Sequence, residues 1–201
     1  MRKIVYIIFF LVLPYSVKGQ NLEDKRWFSQ AEIEITIPRK DKVLYSFSDI
    51  NTVDITKNRD YRVGGIVLYR KVLWGTNYSI NYQLFRRWSI GALGGFTYLS
   101  YPSISVLKLG GVIRFDFSEE FKANAFLQLS DYIPLKKSLQ HNLGEIKLGL
   151  SIPVLVEDKF SINASLYTLY STFHMAKPLF ADETPDLVEY RGVGFGFGIR
   201  F

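Results

Sequence analysis

Two histidines and no cysteine limit the catalysis open to this 201-residue chain. His174 stands near Ser171, Asp182 and Glu183, so a serine–histidine–acid arrangement suited to acyl transfer can be drawn there. No nucleophile elbow of the GxSxG kind accompanies it, and closeness in sequence does not assemble a triad. His141, between Gln140 and Asn142, reads as a solvated loop residue. Metal-ligand spacing is absent. The glycine-rich ending lacks the Lys-Ser/Thr pair and the following helix of a phosphate loop. The chain therefore reads as no enzyme, with neither cofactor nor metal, and a lipid hydrolase is the weakest alternative.

A second set of reactive side chains is embedded in alternating segments: Lys108, Arg114, Asp116, Lys122, Glu145 and Lys147, joined by Glu32 and Glu34. On strands, a period of two separates them from the apolar residues beside them. If that charged face turns into a narrow barrel, mixed signs can pair across neighbouring strands and satisfy one another. An interior of eight strands is filled by side chains, whereas an open channel needs about sixteen. The filled lumen is the preferred reading. A narrow gated path for ions or small solutes, lined by the same charges, is the alternative.

The segments that position these charges follow a regular rhythm. Val193, Phe195, Phe197, Ile199 and Phe201 share one face of the last segment, opposite Gly192, Gly194, Gly196, Gly198 and Arg200. Strands are expected at 186–201, 159–172, 142–154, 120–130, 104–117, 88–100 and 75–85, and Tyr61 to Arg70 completes a set of eight. At a tilt near 45°, ten residues rise about 23 Å, close to the apolar band of an outer-membrane barrel. Tight charged connections at 85–88, 117–120 and 156–159 alternate with longer ones at 131–142 and 172–187, which contain Pro134, Pro178 and Pro185. That asymmetry puts short turns on the periplasmic side and long loops outside. Aromatics near segment ends, among them Trp74, Trp88, Tyr98, Tyr132, Tyr170 and Tyr190, read as interfacial girdles rather than sugar-stacking platforms.

The fold class is therefore all-β: a closed antiparallel up-and-down transmembrane barrel of eight to ten strands. Phe28 to Ile37 alternates, and Val43 to Ile50 is a weaker strand candidate. Ten strands are slightly preferred, because the Ile33-Ile35-Ile37 face otherwise lacks a burial partner. The alternatives are eight with an N-terminal extension, or eight with Phe28 to Ile37 as the first strand and a hairpin in the first outer loop.

Export is read from the other end. Met1, Arg2 and Lys3 precede an apolar run, Ile4 to Leu13, then Pro14 and the positions Val17 and Gly19. This is the layout of a signal peptide over 1–19, leaving a barrel domain over 20–201. The run is about half the ~20 residues of a membrane-spanning helix. Without cysteine, the exported domain has no disulfide to stabilise it. The chain is 48% hydrophobic with that content spread in alternation, as a membrane barrel requires. Its +6 charge includes Arg2, Lys3 and Lys18, so the exported part is only mildly basic and shows no nucleic-acid footprint.

These features together resemble the small outer-membrane β-barrel proteins common in Bacteroidota. The stretches YSINYQLFRRWSIGALGGFTY and YPSISVLKLGGVIRFDF are similar to that family in style. The ending Phe195, Phe197, Ile199 and Phe201 resembles the closing-strand signal read by the barrel-assembly machinery. The resemblance implies location in the cell outer membrane and a role in envelope integrity, adhesion, secretion or small-solute passage. It covers most of 61–201 and carries over no catalytic residue. Expected partners are outer-membrane lipid, an envelope protein of unknown identity, and lipopolysaccharide, whose phosphates Lys71, Lys136 and Lys137 would meet at the outer edge.

Overall fold

The computed structural model describes residues 26–38, 43–47, 63–66, 72–99, 104–117, 123–135, 144–173 and 185–201. Ten strands run in chain order: β1 (Trp27–Pro38), β2 (Val43–Phe47), β3 (Val63–Ile66), β4 (Leu73–Phe85), β5 (Trp88–Leu99), β6 (Ile104–Asp116), β7 (Asn124–Pro134), β8 (Gly144–Val156), β9 (Ser161–Phe173) and β10 (Pro185–Arg200). Antiparallel pairing follows the order β1-β4-β5-β6-β7-β8-β9-β10, and β10 returns to β1. The wall is thus a closed eight-stranded up-and-down barrel, which leaves the main ladder without an open edge.

The ten-strand expectation is corrected by the pairing of β10. Its residues 192–200 lie against β1, whereas Pro185, Leu187 and Val188 lie against β2. Thus β1 and β2 occupy one edge of the long β10 in succession, and β2 adds no width to the wall. β3 pairs with β2 alone over four residues. Of Tyr61 to Arg70, the described residues Val63–Ile66 pair with β2 and not with the wall, so this segment does not supply the eighth wall strand. Trp27–Pro38 supplies it, with the short β2–β3 hairpin in the first outer connection. The Ile33-Ile35-Ile37 stripe faces outward and has no core to bury it among the described residues, with Ile33 63% exposed.

Shear sets the tilt. From Phe28, successive partners around the wall are Asn81, Gly91, Val112, Gln128, Lys147, Leu169 and Gly192. Gly192 pairs with Pro38, so the circuit rejoins β1 ten residues beyond its start. A stagger of that size inclines the strands by about 40°.

Faces are sorted opposite to those of a water-soluble domain. Leu107, Leu109, Leu129, Leu148, Phe195 and Phe197 are exposed on the outer surface. Lys108, Arg114, Glu34, Glu145 and Lys147 are buried inside. At the end bearing the C-terminus, Trp27 packs on Tyr82 with ring centroids 4.8 Å apart, and Trp88 on Phe115 at 4.9 Å. Tyr132 and Tyr190 do not join an outer girdle: both are buried in the lumen. Closure reaches the last residue, since Phe201 N–H donates to Ser29 O at 2.9 Å and Ser29 N–H donates to Phe201 O at 2.8 Å.

One boundary shift matters for the site. The segment expected at 120–130 forms its strand at Asn124–Pro134, so Asp131, Tyr132 and Ile133 belong to the wall rather than to a loop. Pro134 can end β7 there because it supplies only a carbonyl, at the strand's last position.

Candidate functional site

Glu34, on β1, has glycine on both sides across the wall: Gly75 on β4 and Gly196 on β10. A Cβ on Gly75 would overlap the Glu34 carboxylate, so the missing side chain lets Glu34 lie over its neighbour and extend into the lumen. Lys108, on β6, likewise faces Gly95 on β5.

At the centre of the lumen Glu34 Oε1 accepts from Lys108 Nζ at 2.6 Å, and Glu34 Oε2 accepts from Lys147 Nζ and from Asn77 Nδ2, the latter at 2.7 Å. Glu145 Oε1 lies 3.6 Å from Lys108 Nζ and 3.4 Å from Lys147 Nζ. Two carboxylates and two ammonium groups thus form a neutral quartet with side chains at most 1% exposed. Desolvating four charges is costly, and what offsets the cost is complete mutual pairing with additional hydrogen bonds. Those bonds are present. Gln128 Nε2 donates to Glu145 Oε1 at 3.0 Å, Tyr132 Oη–H donates to Glu145 Oε2 at 2.6 Å, and Ser171 Oγ–H donates to Tyr132 Oη at 3.0 Å. Lys147 Nζ also sits 4.6 Å from the Tyr167 ring centroid, and the Tyr167 hydroxyl is bonded to Thr36 at 3.0 Å.

Above the quartet, toward the long-loop end, Tyr132 stacks on Phe173 at 5.3 Å, and Leu73, Val106 and Tyr190 are buried at that end. Below it the lining combines polar side chains with the buried Phe28 and Phe126 rings. Arg200 lies over the Phe28 ring at 3.7 Å and Arg114 over Phe126 at 5.5 Å. Both guanidiniums leave Nε without a hydrogen-bond partner among the described residues, as do Asn81 Oδ1 and Ser89 Oγ. Buried polar atoms of this kind are normally satisfied by ordered water. These atoms lie on the side of the quartet toward the C-terminal end of the barrel, and the quartet lies across the centre of the lumen.

Of the sequence-derived lumen charges, Lys108, Arg114, Asp116, Glu145 and Lys147 are buried, whereas Lys122 lies outside the described residues. Phe195, Phe197 and Ile199 face outward, and Phe201 is half-buried at the seam. Lys71, Lys136, Lys137, His141, His174, Asp182, Glu183 and the segment 1–19 also lie outside them. Ser171 is fully buried, and its hydroxyl is engaged by Tyr132. Among the described residues no cluster of histidine, aspartate and glutamate could hold a metal ion. Sequence reading placed Tyr132 in an aromatic girdle and missed its bond to Glu145. The available signal was parity, because Tyr132 shares the even-numbered face of Asn124 and Gln128.

No family model matches the chain, and no curated protein matches it in sequence. Among solved structures, the chain is similar to the crystal structure of the outer membrane protein OprG from Pseudomonas aeruginosa, at 8% identity and a TM-score of 0.43, with 87% of this chain and 95% of that chain covered.

Proposed function

We propose that this chain is an integral outer-membrane β-barrel with a closed lumen, serving the envelope as a structural or interaction element rather than as an enzyme. One observation carries the reading: the wall exposes an aliphatic and aromatic surface while its charges are buried inside. An exposed apolar surface of this extent is unfavourable in water and is matched by hydrocarbon. Strands of 13 residues such as β4 and β6 rise about 30 Å at the barrel's tilt, enough to cover the apolar thickness of that membrane. Membership among the small barrels common in Bacteroidota belongs to this reading and is supported by sequence style. So does a cleaved signal peptide over 1–19. Contact of Lys71, Lys136 and Lys137 with lipopolysaccharide phosphates is a further part of it, tested by co-purified lipopolysaccharide in an alanine triple variant.

The test is location followed by conductance. The native protein is expected in the detergent-extracted outer-membrane fraction, with the heat-modifiable gel migration of a closed barrel. Recovery in the periplasm or medium without detergent would overturn the reading. In planar bilayers the purified protein should show no stable conductance.

A second reading, a narrow gated path, is favoured by the buried polar side chains below the quartet. Steady channels in the unmodified protein would establish that reading instead.

A further inference from the structure

Two guanidiniums enter the lower lumen from opposite sides. Arg114 stands on β6 and Arg200 on β10, four steps apart in the eight-stranded wall. Arg200 ends β10 and Arg114 is two residues from the end of β6, so both lie toward the C-terminal end of the barrel. Both point inward, 4% and 6% exposed. Each guanidinium lies over an aromatic ring, Arg200 over Phe28 and Arg114 over Phe126. An aromatic face attracts the cation but does not pair its N–H edge. The Nε of each arginine is buried without a hydrogen-bond partner among the described residues. The same holds for Oγ of Ser89, the cross-strand neighbour of Arg114.

The two cations act on one another across the lumen. Two carboxylates act on Arg114 as well: Asp116, two positions along β6, and Glu32, which accepts from Ser165. Neither comes within ion-pair distance of Arg114 or Arg200 among the described residues. Ordered water can accept from a guanidinium edge, but it does not neutralise two like charges held away from bulk solvent. We infer that the lower lumen binds one small monovalent anion, of halide or formate size, bridging the N–H edges of Arg114 and Arg200 with Ser89 Oγ–H as a further donor. Small size follows from the side-chain-filled interior of an eight-stranded barrel. A single charge follows from Asp116 and Glu32, which repel a second one. Arg200 occupies the last position of β10, so the C-terminal end is the near entrance.

The site goes beyond the envelope role, which stands whether or not an anion binds. The folded barrel in nonionic micelles, with chloride as the small anion, is followed by chloride NMR. A chloride held between two guanidiniums and exchanging with the bulk broadens the bulk line. Formate should remove that broadening, and sulfate at equal ionic strength should remove much less of it. Arg114→Gln and Arg200→Gln should each weaken binding about tenfold, the effect of losing one charge-assisted bond. Arg87→Gln, in the exposed 85–88 turn, should leave it unchanged. Unchanged binding in both inner variants, an equal loss in Arg87→Gln, or sulfate competing as well as formate would overturn the site. Should an inner variant lack the heat-modifiable folded band, crystals of the parent grown with bromide decide. One anomalous peak between Arg114 and Arg200 is expected there, and water alone would overturn the site.

Discussion

Lys108 Nζ lies 2.6 Å from Glu34 Oε1, although 74 positions separate the two residues along the chain. β1 and β6 are three steps apart around the wall, so the contact spans the lumen rather than a ladder. Lys147 completes the bridge from β8 to the same carboxylate. The quartet therefore ties together β1, β6 and β8, strands that no backbone hydrogen bond joins.

Removing one member should both weaken and unseal the barrel. Glu34→Ala leaves Lys108 and Lys147 facing Glu145 alone. The loss should be about 3–5 kcal/mol, read as a lower urea midpoint in refolding into micelles. Planar bilayers should then show openings that the parent lacks. A silent variant with the parent's urea midpoint would deny the quartet its role as a plug.

Tyr132 is the hinge of a three-member hydrogen-bond chain, so Tyr132→Phe should cost more than Ser171→Ala. The first removes the donor to a buried carboxylate, about 1.5–3 kcal/mol, and the second removes a neutral bond, about 1 kcal/mol. In a double-mutant cycle the two should be less than additive, because Ser171 donates to the hydroxyl that Tyr132→Phe deletes. Strict additivity would mean that the chain is not a unit.

Gly194 faces the Tyr167 ring so closely that an added Cβ would overlap its hydroxyl end. Gly194→Ala should lower thermal stability by about 1–3 kcal/mol. Adding Tyr167→Leu should recover part of that loss. If the double variant melts below both singles, crowding at this contact is not the cause.

Two variants of the last residue distinguish seam closure from recognition of an aromatic end. Phe201→Ala keeps the backbone bonds to Ser29, whereas deletion of Phe201 removes both. Refolding of the purified chain should be slowed by the deletion and little changed by Phe201→Ala. Assembly in cells should fall in both if the side chain is read by the assembly machinery. Equal cellular levels of Phe201→Ala and parent would limit the residue's role to the seam.

The sequence by itself determined the all-β class and the two faces of each strand, because a period of two separates apolar from polar side chains without reference to any partner. Alternation in Ile104–Asp116 or Ser161–Phe173 is a local property and is legible residue by residue. What alternation cannot state is register. Tertiary structure decided that β1 closes the wall, because β10 is long enough to pair with β1 and β2 in succession along one edge. It also decided that Glu34 meets Lys108 and Lys147, a meeting set by a stagger of ten residues around the closed ladder rather than by any spacing along the chain. Pro134 masks the end of β7 in the sequence, since a proline reads as a loop when its strand partner is unknown. Only the ladder with Val106 shows that β7 continues to it, placing Tyr132 over Glu145 and Asp131 on the outer wall.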